Sequence, residues 1–191
     1  MGSEPGERFG YGAQHLNAFA LALQRKLDGE SFEEYLKRRI LDPLGIEMEW
    51  KIRCADGHPQ SGGGGFMTAR DWATFGEFIR LEGRWEDVQV VDSAALEQCF
   101  AGSDANPAYG LTWWLRYPVA TEQRQASPVL SSEWADVANS AWLPDDLVAA
   151  CGAGKQRLYV IPSQKMVVVR MGSLGRGFKD LEFLSRLFGR G

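Results

Sequence analysis

Histidine is nearly missing from this sequence: His15 and His58 are the only two in 191 residues. A Ser-His-Asp triad needs a histidine base oriented by a carboxylate. His15 reads as helical and His58 as part of a loop, and neither accompanies a Gly-x-Ser-x-Gly elbow, so that route to serine chemistry is excluded. Cysteine is sparse too. Cys54, Cys99 and Cys151 stand far apart, and an odd, unclustered set is no disulfide framework. With no Cys-x-x-Cys pair and two histidines, the roughly four ligands of a zinc site are not at hand. Nothing in the sequence calls for a metal or a cofactor. No apolar run approaches the ~20 residues that span a bilayer, and no signal-peptide pattern opens the chain. There is no excess of basic residues: 21 Lys and Arg face 25 Asp and Glu, which argues against a nucleic-acid partner. The densest basic run, Lys37-Arg38-Arg39, reads as the solvated face of a helix.

Two nucleophile-bearing or phosphate-binding motifs also fail. The glycines Gly62 to Gly65 invite a phosphate-loop reading, but Phe66-Met67-Thr68 follows where Gly-Lys-Ser/Thr is required. The run reads instead as a flexible loop entering a capped helix. Hydrolases without histidine use Ser-x-x-Lys at a helix start, where one turn sets the amine beside the hydroxyl. No serine of this chain has lysine three residues on.

What is present is enough for a core: 45% of residues are hydrophobic and 12% aromatic. Leu16, Phe19, Leu23 and Leu27 recur at helical spacing, with Gly29 as a stop. Ser31 and Glu34 form a capping box for a second helix with Phe32, Tyr35, Leu36 and Ile40 on its apolar face, ended by Asp42-Pro43. Residues 51–66 read as loop. Thr68 and Asp71 cap a third helix with Trp72, Phe75 and Ile79 as its buried stripe and Gly83 as its stop, and Asp92 or Ser93 caps a fourth with Leu96 and Phe100. Tyr109 to Leu115 reads as strand, and residues 119–141 as polar and irregular. Arg157 to Ile161 and Met166 to Met171 read as an antiparallel hairpin joined by Pro162 to Lys165. A last helix carries Phe178, Leu181, Leu184 and Phe188. The expected fold class is α+β, an antiparallel sheet covered by helices, in one domain. Its helical region runs over about 9–105 and its sheet region with the closing helix over about 109–190.

In order and spacing, the motifs resemble the β-lactamase/penicillin-binding-protein superfamily of serine hydrolases, nearest its esterase and 6-aminohexanoate-dimer-hydrolase-like branch. The matching pieces are Pro5-Gly6 through Phe9-Gly10-Tyr11, Asp42-Pro43-Leu44-Gly45-Ile46, Gly62 to Gly65 with Thr68-Ala69-Arg70-Asp71-Trp72, Tyr109-Gly110-Leu111 to Trp114, and Cys151-Gly152-Ala153-Gly154-Lys155-Gln156 with the hairpin beyond it. The resemblance implies the C-terminal part of that fold, with the segment bearing the Ser-x-x-Lys nucleophile absent.

Residue roles follow from the resemblance alone. Tyr11 falls on the tyrosine whose oxygen relays the nucleophile's proton, against the simpler reading of a tyrosine anchoring a helix start. A free phenol ionises near pH 10, so this role needs a lysine cation close by. Ala150, Cys151 and Gly152 fall on the third motif, and the backbone N–H of Ala153 on one oxyanion donor, against the simpler reading of a glycine-rich strand entry. Cys151 is also a nucleophile by residue type, but no base accompanies it, and a small buried filler is the plainer reading. The family's second motif often reads Tyr-x-Asn, whereas this chain has Tyr11-Gly12-Ala13; the third often starts with lysine, whereas this chain has Ala150. Without that asparagine and lysine, β-lactam and D-Ala-peptide chemistry is in doubt and a small-molecule ester or simple amide is the favoured substrate. The expected activity is acyl-enzyme hydrolysis by a longer parent, with this chain inactive alone. The alternative is a non-catalytic binding protein of the same fold. The compartment is left open by the sequence. An open sheet edge centred on Val167-Val168-Val169 makes self-association an expectation.

Overall fold

A computed structural model of the chain describes residue 4, residues 6–118, 133–173 and 177–190. Its centre is a four-stranded antiparallel sheet of β5 (Trp114–Leu115), β6 (Val148–Gly152), β7 (Gln156–Ile161) and β8 (Met166–Arg170), in that spatial order. The register pairs Ala149 with Tyr159, Cys151 with Arg157 and Val160 with Val167. Alternate residues therefore feed two cores, as a pleated strand requires. Leu158, Val160, Val167 and Ala150 pack with Phe78, Ile79 and Leu96 on one face, while Tyr159, Ile161, Val168 and Cys151 pack with Trp134, Val137 and Leu184 on the other.

Helices cover both faces. In chain order they are α1 (Gln14–Gln24), α2 (Phe32–Leu36), α3 (Asp42–Leu44), α4 (Ala69–Arg80), α5 (Ser93–Glu97), α6 (Glu133–Ala138) and α7 (Asp180–Leu187). The described residues also form two short antiparallel pairs, β1 (Met48–Trp50) with β2 (Gly65–Met67) and β3 (Arg84–Trp85) with β4 (Val88–Gln89). The expected caps are in place. Ser31 and Glu34 bond reciprocally, Thr68 Oγ1 accepts the Asp71 N–H at 3.1 Å and Asp92 Oδ1 accepts the Ala95 N–H at 2.9 Å. Helix α4 lies directly on β7 and β8 because Gly76 has no side chain: a Cβ there would meet Leu158 Cδ1 and Val167 Cγ1, each at 2.6 Å.

Several expectations are corrected. Asp42-Pro43 does not end the second helix. A π-helical turn over Lys37–Leu41 leads straight into α3, and Pro43, which has no N–H to donate, sits just past the junction. The stop is Gly45, at φ 64°. Residues 51–66 are not all loop, since Gly65 and Phe66 pair with Trp50 and Glu49 in β2. Tyr109 to Leu115 is strand only at Trp114–Leu115, with Tyr109 bridging back to Trp114 across a turn. The segment read as irregular over 119–141 contains α6, whose Trp134, Ala135, Val137 and Ala138 are buried; residues 119–132 lie outside the described part. Phe19 is not on a buried stripe. It is 65% exposed, and Ala20 is the buried residue of α1. In α4 the most deeply buried side chain is Phe78, because the sheet covers a wider arc than one helical stripe.

Candidate active-site cleft

The third-motif residues sit where β6 ends. Ala150 and Cys151 close the strand, Gly152 is its last residue, and Ala153–Lys155 form a 3-10 turn into β7. The turn puts Gly154 at φ 70° and Lys155 at φ 65°. A left-handed lysine costs roughly 1–3 kcal/mol and persists only when its surroundings over-determine it. Here Arg170 Nη1 donates to the Lys155 carbonyl at 2.6 Å. Gln156 then clamps the next turn, donating to the Gly172 carbonyl at 2.6 Å and accepting the Gly172 N–H at 2.9 Å. Gly152 and Ala153 are exposed at this strand end. The side chain of Ala150 packs on the α4 side of the sheet, whereas Cys151 packs on the α6 and α7 side.

Tyr11 comes to that same side. It lies in the segment before α1, and its ring sits 5.5 Å from Trp114 and edge-on to Tyr109 at 5.8 Å. Phe9 adds a contact to Tyr109 at 5.0 Å, and Tyr109 packs edge-on against Trp114 at 4.8 Å. Trp114 in turn meets Trp134, whose indole N–H donates to the Leu115 carbonyl at 3.0 Å. Such aromatic contacts hold a ring by geometry as well as area. Burial pushes the Tyr11 phenol above its ordinary pKa, and the neighbouring Cys151 thiol pushes it the same way, while Arg157 pulls down. Tyr109 is pushed up as well, by burial first and then by Tyr11 and Cys151. Tyr11 thus meets Tyr109 ring to ring, and Cys151 stands across the register from Arg157.

Three features of this site were missed at the level of sequence. Arg157 stands opposite Cys151 in the register, with Nε and Nη2 on the two carboxylate oxygens of Asp180 at 2.6 and 3.1 Å. Tyr159 donates to Asp180 Oδ1 at 2.6 Å, and all three residues are buried. The available signals were a lone arginine in an apolar strand and an aspartate opening an amphipathic helix. The second feature is the aromatic support from Tyr109 and Trp114. The third is the glycine run, read as a flexible loop. A Cβ on Gly62 would meet Ala13 Cβ at 2.6 Å and Ala13 Cα at 2.9 Å. Ser61 Oγ and the Gly62 N–H reach Asn17 Oδ1 at 3.0 and 3.4 Å. The loop therefore packs against the segment carrying Tyr11. Helix α1 has no side-chain cap, and this contact braces its start.

Among the described residues, no group of three or more His, Cys, Asp or Glu side chains is arranged to hold a metal ion. No described helix is long and apolar enough to cross a membrane.

Solved structures share this fold, and two of them are described. One is a Bacillus anthracis protein described as "Putative 6-aminohexanoate-dimer hydrolase", with a TM-score of 0.71 and 21% identity over 99% of this chain. The other is a Bacteroides dorei DSM 17855 protein described as "putative beta-lactamase", with a TM-score of 0.63 and 17% identity over 91% of this chain. The chain spans 44% of the first and 53% of the second. No curated protein matches it. The family model described as Beta-lactamase matches residues 1–183. That match covers nearly every element of the sheet and its two helical layers, and by it the chain belongs to the Beta-lactamase family.

Proposed function

We propose that this chain is the C-terminal portion of a serine hydrolase that cleaves an ester or simple amide through an acyl-enzyme, and that it is inactive alone. The observation that supports the reading is the packing of the Tyr11 ring on Trp114, which pairs with Ala149 of β6, the strand that runs on to Cys151 and Gly152. In this reading the Tyr11 oxygen relays the proton of a serine supplied by a Ser-x-x-Lys segment. The backbone N–H of Ala153 is one of two oxyanion donors, a contribution of about 3–4 kcal/mol to the barrier in hydrolases. Exposed small residues at Gly152 and Ala153 suit the close approach of a substrate carbonyl.

The ionisation of Tyr11 supports the inactivity of the chain by itself. Its phenol is pushed up, away from the range of a general base near neutral pH. Arg157 is the cation that pulls it down, but its guanidinium is committed to Asp180. A second cation beside the phenol is required, and the lysine of a Ser-x-x-Lys helix is the group that supplies it.

The test is Tyr11→Phe in an enzyme that joins this chain to such a segment. It lowers kcat by roughly 10²-fold or more with the fold intact, as loss of a proton relay does. A kcat within about threefold of the parent removes Tyr11 from the mechanism. The second reading is a non-catalytic relative that uses the same cleft for binding, favoured by the absence of Ser-x-x-Lys from these 191 residues. A coding sequence upstream of Met1 without that motif supports it.

A further inference from the structure

We propose that Arg157 is a positioning residue for the oxyanion donor: by holding the Gly152 carbonyl it fixes the direction of the Ala153 N–H in the same peptide. The inference rests on the hydrolase reading above and adds to it the group that aims the donor. Arg157 is the second residue of β7 and stands directly across from Cys151. It is 7% exposed, and its counter-ion Asp180, at the first position of α7, is 1% exposed. Apolar side chains of similar volume often stabilise a fold as well as a buried ion pair does. Stability alone therefore does not call for a guanidinium at this position.

Its hydrogen bonds reach beyond the carboxylate. Nε and Nη2 meet the two oxygens of Asp180, which leaves Nη1 at the other side of the planar group. Nη1 donates to the Gln156 carbonyl at 3.0 Å and to the Gly152 carbonyl at 3.4 Å. These two carbonyls stand on either side of the Ala153–Lys155 turn. The bond to Gly152 is the longer, but its donor is charged and lies in a buried group, and both conditions strengthen an N–H···O contact. The peptide between Gly152 and Ala153 is trans. In a trans peptide the C=O and N–H of one plane point in opposite directions. The hold on the Gly152 carbonyl therefore turns the Ala153 N–H away from the guanidinium and keeps the plane from tilting. The far end of the turn is held by Arg170 Nη1 on the Lys155 carbonyl, where φ is 65° and the backbone is strained for a side chain with a Cβ. An oxyanion donor acts by being aimed before the reaction begins, so a group that fixes its peptide plane bears on the rate without touching substrate.

Arg157→Lys tests this in two settings. Lysine keeps a positive charge for Asp180 but loses the fork that serves carboxylate and carbonyls together. In the chain as it stands, the Gly152 ¹³C carbonyl and Ala153 ¹H–¹⁵N resonances move, while those of the Ser31 and Glu34 cap do not; unmoved Gly152 and Ala153 resonances overturn the proposal. In the enzyme that joins this chain to a Ser-x-x-Lys segment, the substitution lowers kcat for p-nitrophenyl butyrate by roughly 10- to 100-fold with KM within about twofold, less than the outright loss of a donor. It lowers turnover of the matching thionoester far less, because sulfur is a weak hydrogen-bond acceptor and draws little from the donor in the first place. A merely structural role would reduce the folded fraction and slow ester and thionoester alike. Equal losses, or a kcat within about threefold of the parent, overturn the proposal. Should Arg157→Lys not fold, Asp180→Glu, which keeps the counter-charge and displaces the guanidinium by about one methylene, is read the same way. A joined enzyme that hydrolyses neither substrate ends the hydrolase reading and the inference with it. Ester turnover that Tyr11→Phe lowers and Arg157→Lys does not ends the inference alone.

Discussion

At Tyr11, burial and the adjoining thiol of Cys151 act together against ionisation, and Arg157 acts against both. Replacing Cys151 with alanine removes one of the two raising influences. The Tyr11 phenol therefore titrates at lower pH in Cys151→Ala than in the parent chain, measured by ultraviolet difference absorbance; an unchanged or higher midpoint separates Cys151 from Tyr11. Tyr109 and Tyr159 are shifted in the same direction from 10.0, each by burial first, and in Tyr159 by Asp180 next. A phenol whose folded pKa is raised favours the fold fully below its unfolded value and loses that contribution as pH rises. Urea midpoints should thus fall as pH rises above about 10, where unfolded phenols ionise and these folded ones stay protonated. A midpoint that rises there contradicts the shifts. The buried Arg157 and Asp180 pair gives a larger effect. Asp180→Asn leaves the guanidinium without its counter-charge and should cost about 3–5 kcal/mol in urea unfolding. A cost under about 1 kcal/mol would class the pair with exposed ion pairs.

The meeting of helix α4 with the sheet turns on one position. Gly76→Ala places a methyl 2.6 Å from both Leu158 Cδ1 and Val167 Cγ1. Alanine gains up to about 1 kcal/mol of helix propensity over glycine, while overpacking costs about 1–3 kcal/mol. The net expectation is a loss of up to about 2 kcal/mol, read as a lower urea midpoint at constant slope, and a more stable variant would contradict the close approach. The elements that sequence revealed are those with local rules. The Ser31 and Glu34 box, the Thr68 and Asp92 caps and the hairpin of β7 and β8 depend on neighbours a few residues away. What sequence hid depends on tertiary contact. Gly62 looks like slack chain until Ala13 is set against it, and Phe19 looks like core until α1 is seen to bury only Ala20. Pro43 reads as a helix stop until the π-helical turn before it leads straight into α3. The candidate site divides the same way. Tyr11 and residues 150–153 are candidates by family resemblance alone, whereas the Arg157, Asp180 and Tyr159 network joins a strand to a helix about twenty residues on and has no local signature.

The whole molecule presents β8 as the outer strand of its sheet, and among the described residues no strand pairs with its far side. Val167, Val168 and Val169 are half-buried there, β-branched and uncharged, which is the composition of an edge that recruits another strand. The chain by itself should self-associate or show weak amide protection in β8, checked by light scattering and hydrogen exchange. A monodisperse monomer strongly protected in both β7 and β8 would show that the edge is closed by other means. At the candidate site the phenol of Tyr11 and the proposed oxyanion amide of Ala153 come from this chain, and none of its serines has lysine three residues on. The most direct measurement is hydrolysis of p-nitrophenyl acetate and butyrate by this chain alone. The account predicts no turnover above buffer. Turnover that survives Cys151→Ala and is abolished by a serine-directed phosphonate would contradict it.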